Sequence, residues 1–499
     1  MHSKTKAETA LCAALFVAAA LVRLLFLAGT VDRNLPFSIF YYGDSRIYRE
    51  FALALLRGDV FDRGIPFHPP AFAYLLSWII GWVGERPGMV RSLLAIAGST
   101  VVPLTYLVGQ TLWSRAVGLC AAMLATFSFG LCVVSVSANA ETIYIPLVVA
   151  QALLLLLLGD ALAQDRRRAA LILATASGIV LGLGALTRAE HLVFAVIPPA
   201  ALVIGWPAIP RRRIAISAAG IAGAALLVIS PWTIHNHLAL SRFNAATPGP
   251  AEPLPTWVAV SGTGPLVFAL ANTAGADGMF RPEALVSKMG QGRFDLQDQA
   301  QADLYVHGYR HGWSFLVGDP PAAAVLLARK LALASDAYAL GFGLSNWPGG
   351  LAGTRRPVDV FTPNREIWKP VSLILLAAGI WVSRPVLRRG AILWLIGLQS
   401  IAVTLAAFGY ARFFLQAAPF VFLFQAAAIV ALVSRLRSPA SRRAVTLSGA
   451  ALAVALTVEL AVAAAHPRNF LASGSLDPTT GKLMQDAAVE LEPATRSSP

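Results

Sequence analysis

Apolar runs near the length needed to cross about 30 Å of hydrocarbon recur along this chain, with short arginine clusters between them. A chain patterned this way folds as an all-α polytopic membrane protein, because a helix satisfies its backbone polar groups without water. Hydrophobic residues make up 57% of the 499 positions and charged residues only 13%, a balance too apolar for a water-soluble protein of this size. The net charge of +14 does not point to nucleic acid. Its arginines sit at Arg166 to Arg168, Arg211 to Arg213, Arg388 with Arg389, and Arg442 with Arg443, where they read as topology signals. Cys12, Cys120 and Cys132 all lie within apolar runs and form neither a disulfide framework nor a metal-ligand spacing.

The spanning runs are about 9–29, 92–111, 117–136, 141–159, 169–187, 190–207, 214–233, 370–383, 390–408, 412–434 and 444–464, eleven in all. The first follows Lys4 and Lys6. It continues past Arg23 through Leu24 to Leu27, so it reads as a retained helix with a cytoplasmic amino end, not as a signal peptide. Arg23 itself is expected to snorkel to the outer surface. Counting from that start, every arginine-rich short loop falls on the cytoplasmic side, including the one with Arg115 and the one with Arg384.

Two further apolar stretches read as helices lying on the membrane. Pro69 to Gly84 is short, opens on prolines, and repeats Tyr74, Trp78 and Trp82 every four residues, an aromatic stripe suited to headgroup level. Residues 320–338 carry Arg329 and Lys330 at their centre, which is costly in mid-bilayer. A third surface helix is expected where Tyr48, Phe51 and Leu55 recur on one face. The organisation is then a transmembrane module over 1–233 with its first external loop at 30–91, an external region over 234–369, C-terminal helices over 370–465, and a polar, partly disordered tail over 466–499.

Parity brings one set of polar side chains to the outer surface. Asp44 opens the first surface helix, where it serves either as an N-cap or as a carboxylate free to take a proton. Glu141 heads a span, where the helix dipole favours an acid, and it is also a second carboxylate for the same cavity. His68, before Pro69 and Pro70, is an interfacial side chain or a donor to a lipid phosphate. Arg188, in Thr187-Arg188-Ala189-Glu190-His191, pairs with Glu190 or headgroups, or grips a phosphate in bidentate fashion. Arg412 begins a span near a helix amino end that itself attracts anions. Tyr48, Glu190 and His191 complete the candidate cavity. In the region 234–369, Thr247-Pro248-Gly249-Pro250 and Ser261 to Pro265 form turns. A polar span with Asp295, Asp298, Asp303, His307, Arg310 and His311 follows and reads as an acceptor-facing lid, with Asp303, His307 and Arg310 on one helical face. The sequence carries no Walker loop, His-Glu-x-x-His, Cys-x-x-Cys or dinucleotide fingerprint, which disfavours a nucleotide-sugar donor or ATP-driven transport.

These residues, in this order, resemble the polyprenyl-phosphate-dependent membrane glycosyltransferases of the GT-C fold, a group that includes protein O-mannosyltransferases and bacterial aminoarabinose transferases. The resemblance runs over about 9–435. It rests on Asp44 with Tyr48, His68-Pro69-Pro70, Arg115, Ala140-Glu141-Thr142, Leu186 to Glu190, Pro231-Trp232-Thr233 before Asn236, and Arg412-Phe413 followed by Pro419. It implies periplasmic juxtamembrane helices, a cavity roofed by an external loop, and a sugar donor on a polyprenyl monophosphate that enters from the bilayer. It implies Asp44 as general base for an inverting transfer to a glycan, lipid or protein acceptor, with Glu141 beside it and His68, Arg188 and Arg412 on the donor phosphate. A divalent metal fits this chemistry. Protein mannosyltransferases, however, carry two adjacent acids in the first loop, and here Ser45 follows Asp44. The aminoarabinose enzymes carry a basic residue before proline, and here it is His68. The rival classes are a lipid-linked sugar transporter or flippase, and a polymerase or ligase acting on polyprenyl diphosphate. A GC-rich bacterial composition places the chain in an inner membrane with its active site in the periplasm.

Overall fold

The computed structural model describes residues 2–29, 34–36, 42–246, 252–280, 296–335 and 365–436. The eleventh expected span at 444–464, the tail 466–499, Asp295 and the turn Thr247 to Pro250 lie outside these residues. The described chain is helical throughout, without a β-strand among those residues.

The chain starts with α1 (His2–Gly29), α2 (Tyr42–Leu56) and a 3-10 turn at Phe61–Gly64, then runs through α3 (Ala71–Val83), α4 (Pro87–Gly98), α5 (Val101–Leu112), α6 (Arg115–Thr126) and α7 (Phe129–Val136). Next come α8 (Glu141–Ala163), α9 (Arg167–Thr187), a 3-10 segment at Ala189–Val196, α10 (Ile197–Gly205) and α11 (Arg211–Ala246). After these follow α12 (Thr263–Ala271), α13 (Gln299–Gly318) and α14 (Pro320–Ala334). The last helices are α15 (Arg365–Val382), α16 (Arg384–Leu387), α17 (Ala391–Ala406), α18 (Ala411–Phe414) and α19 (Ala418–Leu436).

Among the described residues six helical segments are long and apolar enough to cross a bilayer: Lys6–Ala28, Pro87–Leu112, Glu141–Ala163, Arg167–Thr187, Arg211–Ala246 and Arg412–Arg435. The protein is therefore a multi-pass membrane protein. Four other expected spans are shorter or broken. Residues 117–136 divide into α6 and α7 where Ser128 caps a new helix by accepting from the Leu131 amide, and 190–207 begins in 3-10 geometry. Residues 370–383 and 390–408 form apolar helices below spanning length. The spans pack on one another through a core drawn from α1, α5, α6, α8 to α11, α17 and α19, with Tyr106, Val148, Leu156, Phe194 and Leu423 fully enclosed.

Arg23 does not snorkel. It is fully buried, donating through Nε to Ser135 Oγ at 3.1 Å and through Nη1 to Ala19 O at 3.3 Å, so the interior of the bundle supplies the acceptors a headgroup would have offered. In α3, Phe72, Leu76, Ile79 and Ile80 are buried against α2 and α4, while Tyr74, Trp78 and Trp82 stay exposed. The expected boundary at 233 falls inside α11. At about 1.5 Å per residue this 36-residue helix is roughly 54 Å long and projects past any bilayer core. Its projecting end holds the following stretch by side chains: Trp232 Nε1 donates to Val260 O at 3.0 Å, Thr233 Oγ1 to Ala259 O at 2.8 Å, and Asn236 Nδ2 to both Val258 O and Val260 O at 3.0 Å.

Candidate active site

The site is assembled from chain segments far apart in sequence. Asp44 is the third residue of α2, in its first turn and not at the N-cap. The next residue, Ser45, is fully buried and donates to Ser137 O while lying 3.2 Å from Asn139 Oδ1, which fastens α2 to the turn before α8. A second acid at that position would meet a backbone carbonyl with no solvent, so the departure from the adjacent-acid pattern has a packing reason. The same turn holds Ala138 at φ 54, a left-handed conformation uncommon for alanine, and delivers Glu141 at the first position of α8. Arg188 leaves the end of α9 in extended backbone, and Arg412 enters on the short helix α18.

These elements bring five charges into one network. Arg412 Nη2 lies 2.5 Å from Asp44 Oδ2, and its Nε lies 4.0 Å from Glu141 Oε1. Arg188 donates through Nη1 to Glu141 and through Nε to Glu190. Both guanidiniums approach the Phe413 ring, whose centroid is 4.7 Å from that of Arg188 and 4.9 Å from that of Arg412. Burial disfavours the Arg188 cation, but Glu190 and then Glu141 more than offset this and hold its pKa above the ordinary arginine value. Asp44 is the open member: its side chain is 43% exposed, against 24% for Glu190, 16% for Arg188, 15% for Arg412 and 6% for Glu141.

Tyr48, one helical turn from Asp44, has its ring edge-on to Phe72 at 5.0 Å. Burial raises its phenol pKa, and the negative charges of Asp44 and Glu141 raise it further against Arg188 and Arg412, so the phenol stays neutral among them. His191 is enclosed behind the network and does not line it. Its ring stacks on Phe194 at 4.0 Å, its Nδ1 lies 3.1 Å from Tyr144 Oη, and it fits only because position 184 is glycine, where a Cβ would lie 2.4 Å from the ring. Tyr144 connects it to the site, its ring centroid 5.7 Å from the Arg188 guanidinium. His68 stands outside the ion network, paired at 2.8 Å with Asp62.

Of the residues expected to form a lid, Asp303, His307 and His311 come together in a separate place, with His311 where Arg310 was expected. Asp298 caps α13, and Asp303 on that helix lies 2.9 Å from His307 and 2.7 Å from His311, with Glu252 3.2 Å from the other side of His307. Arg310 is exposed on α13. Lys330 is not a surface cation. It is fully buried, donating to Asn272 Oδ1 at 2.8 Å and to Leu405 O at 2.9 Å, while Asn272 Nδ2 donates to Ala406 O at 2.8 Å. Leu405 and Ala406 carry terminal carbonyls of α17 that its own helix leaves unpaired, so Lys330 and Asn272 cap α17 just before the turn that leads to Arg412. Burial pushes the Lys330 pKa down to about 7. Sequence reasoning missed Ser45, Asp62, Tyr144, Asn272 and the role of Lys330. Only Tyr144 was within reach, three residues from Glu141 on the same helical face.

Among the described residues no group of three or more His, Cys, Asp or Glu side chains is arranged to hold a metal ion, and the carboxylates of the network face guanidiniums. That donor set does not fit a divalent metal, and no step of the proposed chemistry is routed through one.

Residues 67–235 match the family profile described as dolichyl-phosphate-mannose-protein mannosyltransferase. Over that stretch the chain resembles this family. The matched part holds His68, Glu141, Arg188, Glu190 and His191, while Asp44 and Arg412 lie outside it. No curated protein matches the chain by sequence. Among solved structures it is similar to the archaeal oligosaccharyltransferase AglB from Archaeoglobus fulgidus in complex with an inhibitory peptide and a dolichol-phosphate. The identity there is 16%, the TM-score 0.49, and the match covers 92% of this chain but 55% of that one, so the chain spans about half the length of that relative. ArnT from Cupriavidus metallidurans, bound to undecaprenyl phosphate, is 15% identical over 85% of this chain and 79% of that one, with a TM-score of 0.36. Similarities at these TM-scores carry no weight for the chemistry of the site.

Proposed function

We propose that the protein is an inverting glycosyltransferase that moves a sugar from a polyprenyl-phosphate donor to a hydroxyl of a glycan, lipid or protein acceptor. The observation that carries the reading is an open carboxylate, Asp44, set directly against the largely buried guanidinium of Arg412, with a second buried guanidinium, Arg188, joined to Arg412 through Glu141. A carboxylate alone would be a helix-start acid, and guanidiniums alone would be an anion site. Together they provide a base for an incoming hydroxyl and a cradle for a departing phosphate.

In this reading Asp44 takes the acceptor proton as the acceptor oxygen forms its bond to the anomeric carbon. The bond from that carbon to the phosphate oxygen breaks on the opposite face, and polyprenyl phosphate leaves with its charge grown from one negative to two. Arg412, Arg188 and His68 stabilise that growing charge. The Asp44 oxygen that Arg412 holds is not open to an acceptor hydroxyl, so a donor phosphate that draws Arg412 from Asp44 would also free that oxygen, coupling donor binding to readiness for the acceptor. Glu141 holds the two arginines in register. Tyr48 and Glu190 border the cavity, and His191 supports it through Tyr144. The segment to about 233 with its loop 30–91 supplies most of the site, 370–465 supplies Arg412, and 234–369 faces the acceptor. The site opens on the periplasmic side of a bacterial inner membrane, with the amino end in the cytoplasm.

The test is release of labelled sugar by the purified protein in lipid nanodiscs from a panel of polyprenyl monophosphate donors and, in parallel, polyprenyl diphosphate donors. Release from a monophosphate donor supports the reading. Release from diphosphate donors alone would make the protein a polymerase or ligase, and no release from either would return the transporter class.

A further inference from the structure

Asp62 and Glu141 are the two buried acids among the described residues, and they are paired very differently. Glu141 has two arginines, whereas the cationic partner of Asp62 is His68. One oxygen of Asp62, Oδ2, accepts from both the backbone amide and the Nδ1 of His68, each at 2.8 Å. Asp62 is held at φ 50 in the 3-10 turn to make this contact, a backbone state of the kind that concentrates at functional positions. The preceding residues are strapped from the other side, where the Gly262 amide donates to Pro66 O at 2.7 Å and Ser261 Oγ donates to Phe67 O. The His68 ring rests on Phe51 with centroids 5.0 Å apart, and its side chain remains 35% exposed.

We infer that Asp62 is a positioning residue for the donor phosphate: by holding His68 through Nδ1 it fixes the ring and leaves the Nε2–H as the group offered to the departing phosphate. The inference rests on the polyprenyl-phosphate reading of the site. An enclosed carboxylate is stable only with a cation beside it, so the pair favours imidazolium over imidazole. Burial alone would push the His68 pKa down, but the charge and hydrogen bond of Asp62 override it, with Asp44 on α2 adding in the same sense, and the net direction is upward. Tyr305 on α13 lies near enough to Asp62 to feel its charge. Burial raises the Tyr305 pKa and Asp62 raises it further, so it stays neutral and sets no second charge beside the carboxylate.

Asp62→Asn keeps an acceptor oxygen for both N–H groups and removes only the charge. Histidine ring NMR of the whole protein in nanodiscs, with the His68 signal assigned by His68→Gln, should show His68 titrating above the ordinary 6.5 in wild type and at lower pH in Asp62→Asn. With a polyprenyl-phosphate donor, kcat/KM of Asp62→Asn should fall about 10-fold or more at pH 8, and its alkaline limb should move to lower pH. The same substitution made in His68→Gln should leave the limb where it was. A wild-type midpoint at or below 6.5, or an unmoved limb with normal turnover, overturns the role given to Asp62 while leaving the enzyme reading intact. Wild type without turnover on any polyprenyl-phosphate donor sinks that reading, and the donor role of His68 with it.

Discussion

Two charge clusters of this protein are built from similar groups and do opposite things with them. Asp44, Glu141, Glu190, Arg188 and Arg412 come from four separate parts of the chain, and their arginines are 15% and 16% exposed. Glu252, Asp303, His307 and His311 lie mostly along one helix, with carboxylates 63% and 45% exposed. In the first cluster every charge but the open Asp44 depends on its partner because little water reaches it. In the second, solvent screens each charge and can replace any partner. Burial, more than the number of charges, decides which cluster can store electrostatic energy for chemistry.

The sharpest way to break this comparison is to remove one cation from the buried cluster. Arg188→Met strands Glu141 and Glu190 and should destabilise the protein by about 3–5 kcal/mol, read as a lower thermal midpoint in nanodiscs, with part of the loss regained in Arg188→Met/Glu141→Gln. If Arg188→Met unfolds like wild type, the cluster is solvated and the contrast is false. Next in size is Lys330→Met, which leaves Asn272 Oδ1 and Leu405 O without their donor, at a cost of about 1–3 kcal/mol. Its pH dependence has a definite sign. Burial lowers the Lys330 pKa to about 7 in the fold against 10.5 for a free lysine, so between those values the unfolded chain binds more protons there. The stability gap between wild type and Lys330→Met should therefore widen as pH rises from 7 toward 10.

Asp303→Asn should have the smallest effect, below about 1 kcal/mol. Its slight burial works to raise its pKa, but hydrogen bonds from His307 and His311 hold it below the ordinary 3.8. What the carboxylate contributes is thus present above that value and lost only as pH falls through the lowered one. Equilibrium unfolding of Asp303→Asn and wild type should run in parallel from pH 5 to 8, and a large separation in that range would mean the exposed cluster is as interdependent as the buried one.

The same contrast explains what could be read in advance. Asp303 and His307 follow one helical period, and the Tyr74, Trp78 and Trp82 stripe follows another, so periodicity places them, although the third member of the Asp303 cluster is His311 and not the expected Arg310. The pairing of Asp44 with Arg412 joins residues hundreds of positions apart, and no local pattern encodes it. Each was expected at the site separately, from topology and resemblance. What stayed hidden were roles set by tertiary context: Ser45 as the tie that aims α2, Lys330 as a cap for α17 in place of a surface cation, Arg23 as an interior donor in place of a snorkelling one, and Asp62, which reads as one loop acid among several. Span lengths failed for a related reason. Hydropathy does not register that Ser128 restarts a helix or that α11 continues well past its apolar part.

The most direct test of the central claim is turnover of a polyprenyl-phosphate donor by Asp44→Asn beside wild type, with thermal unfolding measured on both. Loss of about 10²- to 10⁴-fold in kcat with the unfolding midpoint nearly unchanged is the predicted result. Equal turnover in a variant of equal stability would contradict the account and leave Asp44 as an acid at the start of a helix.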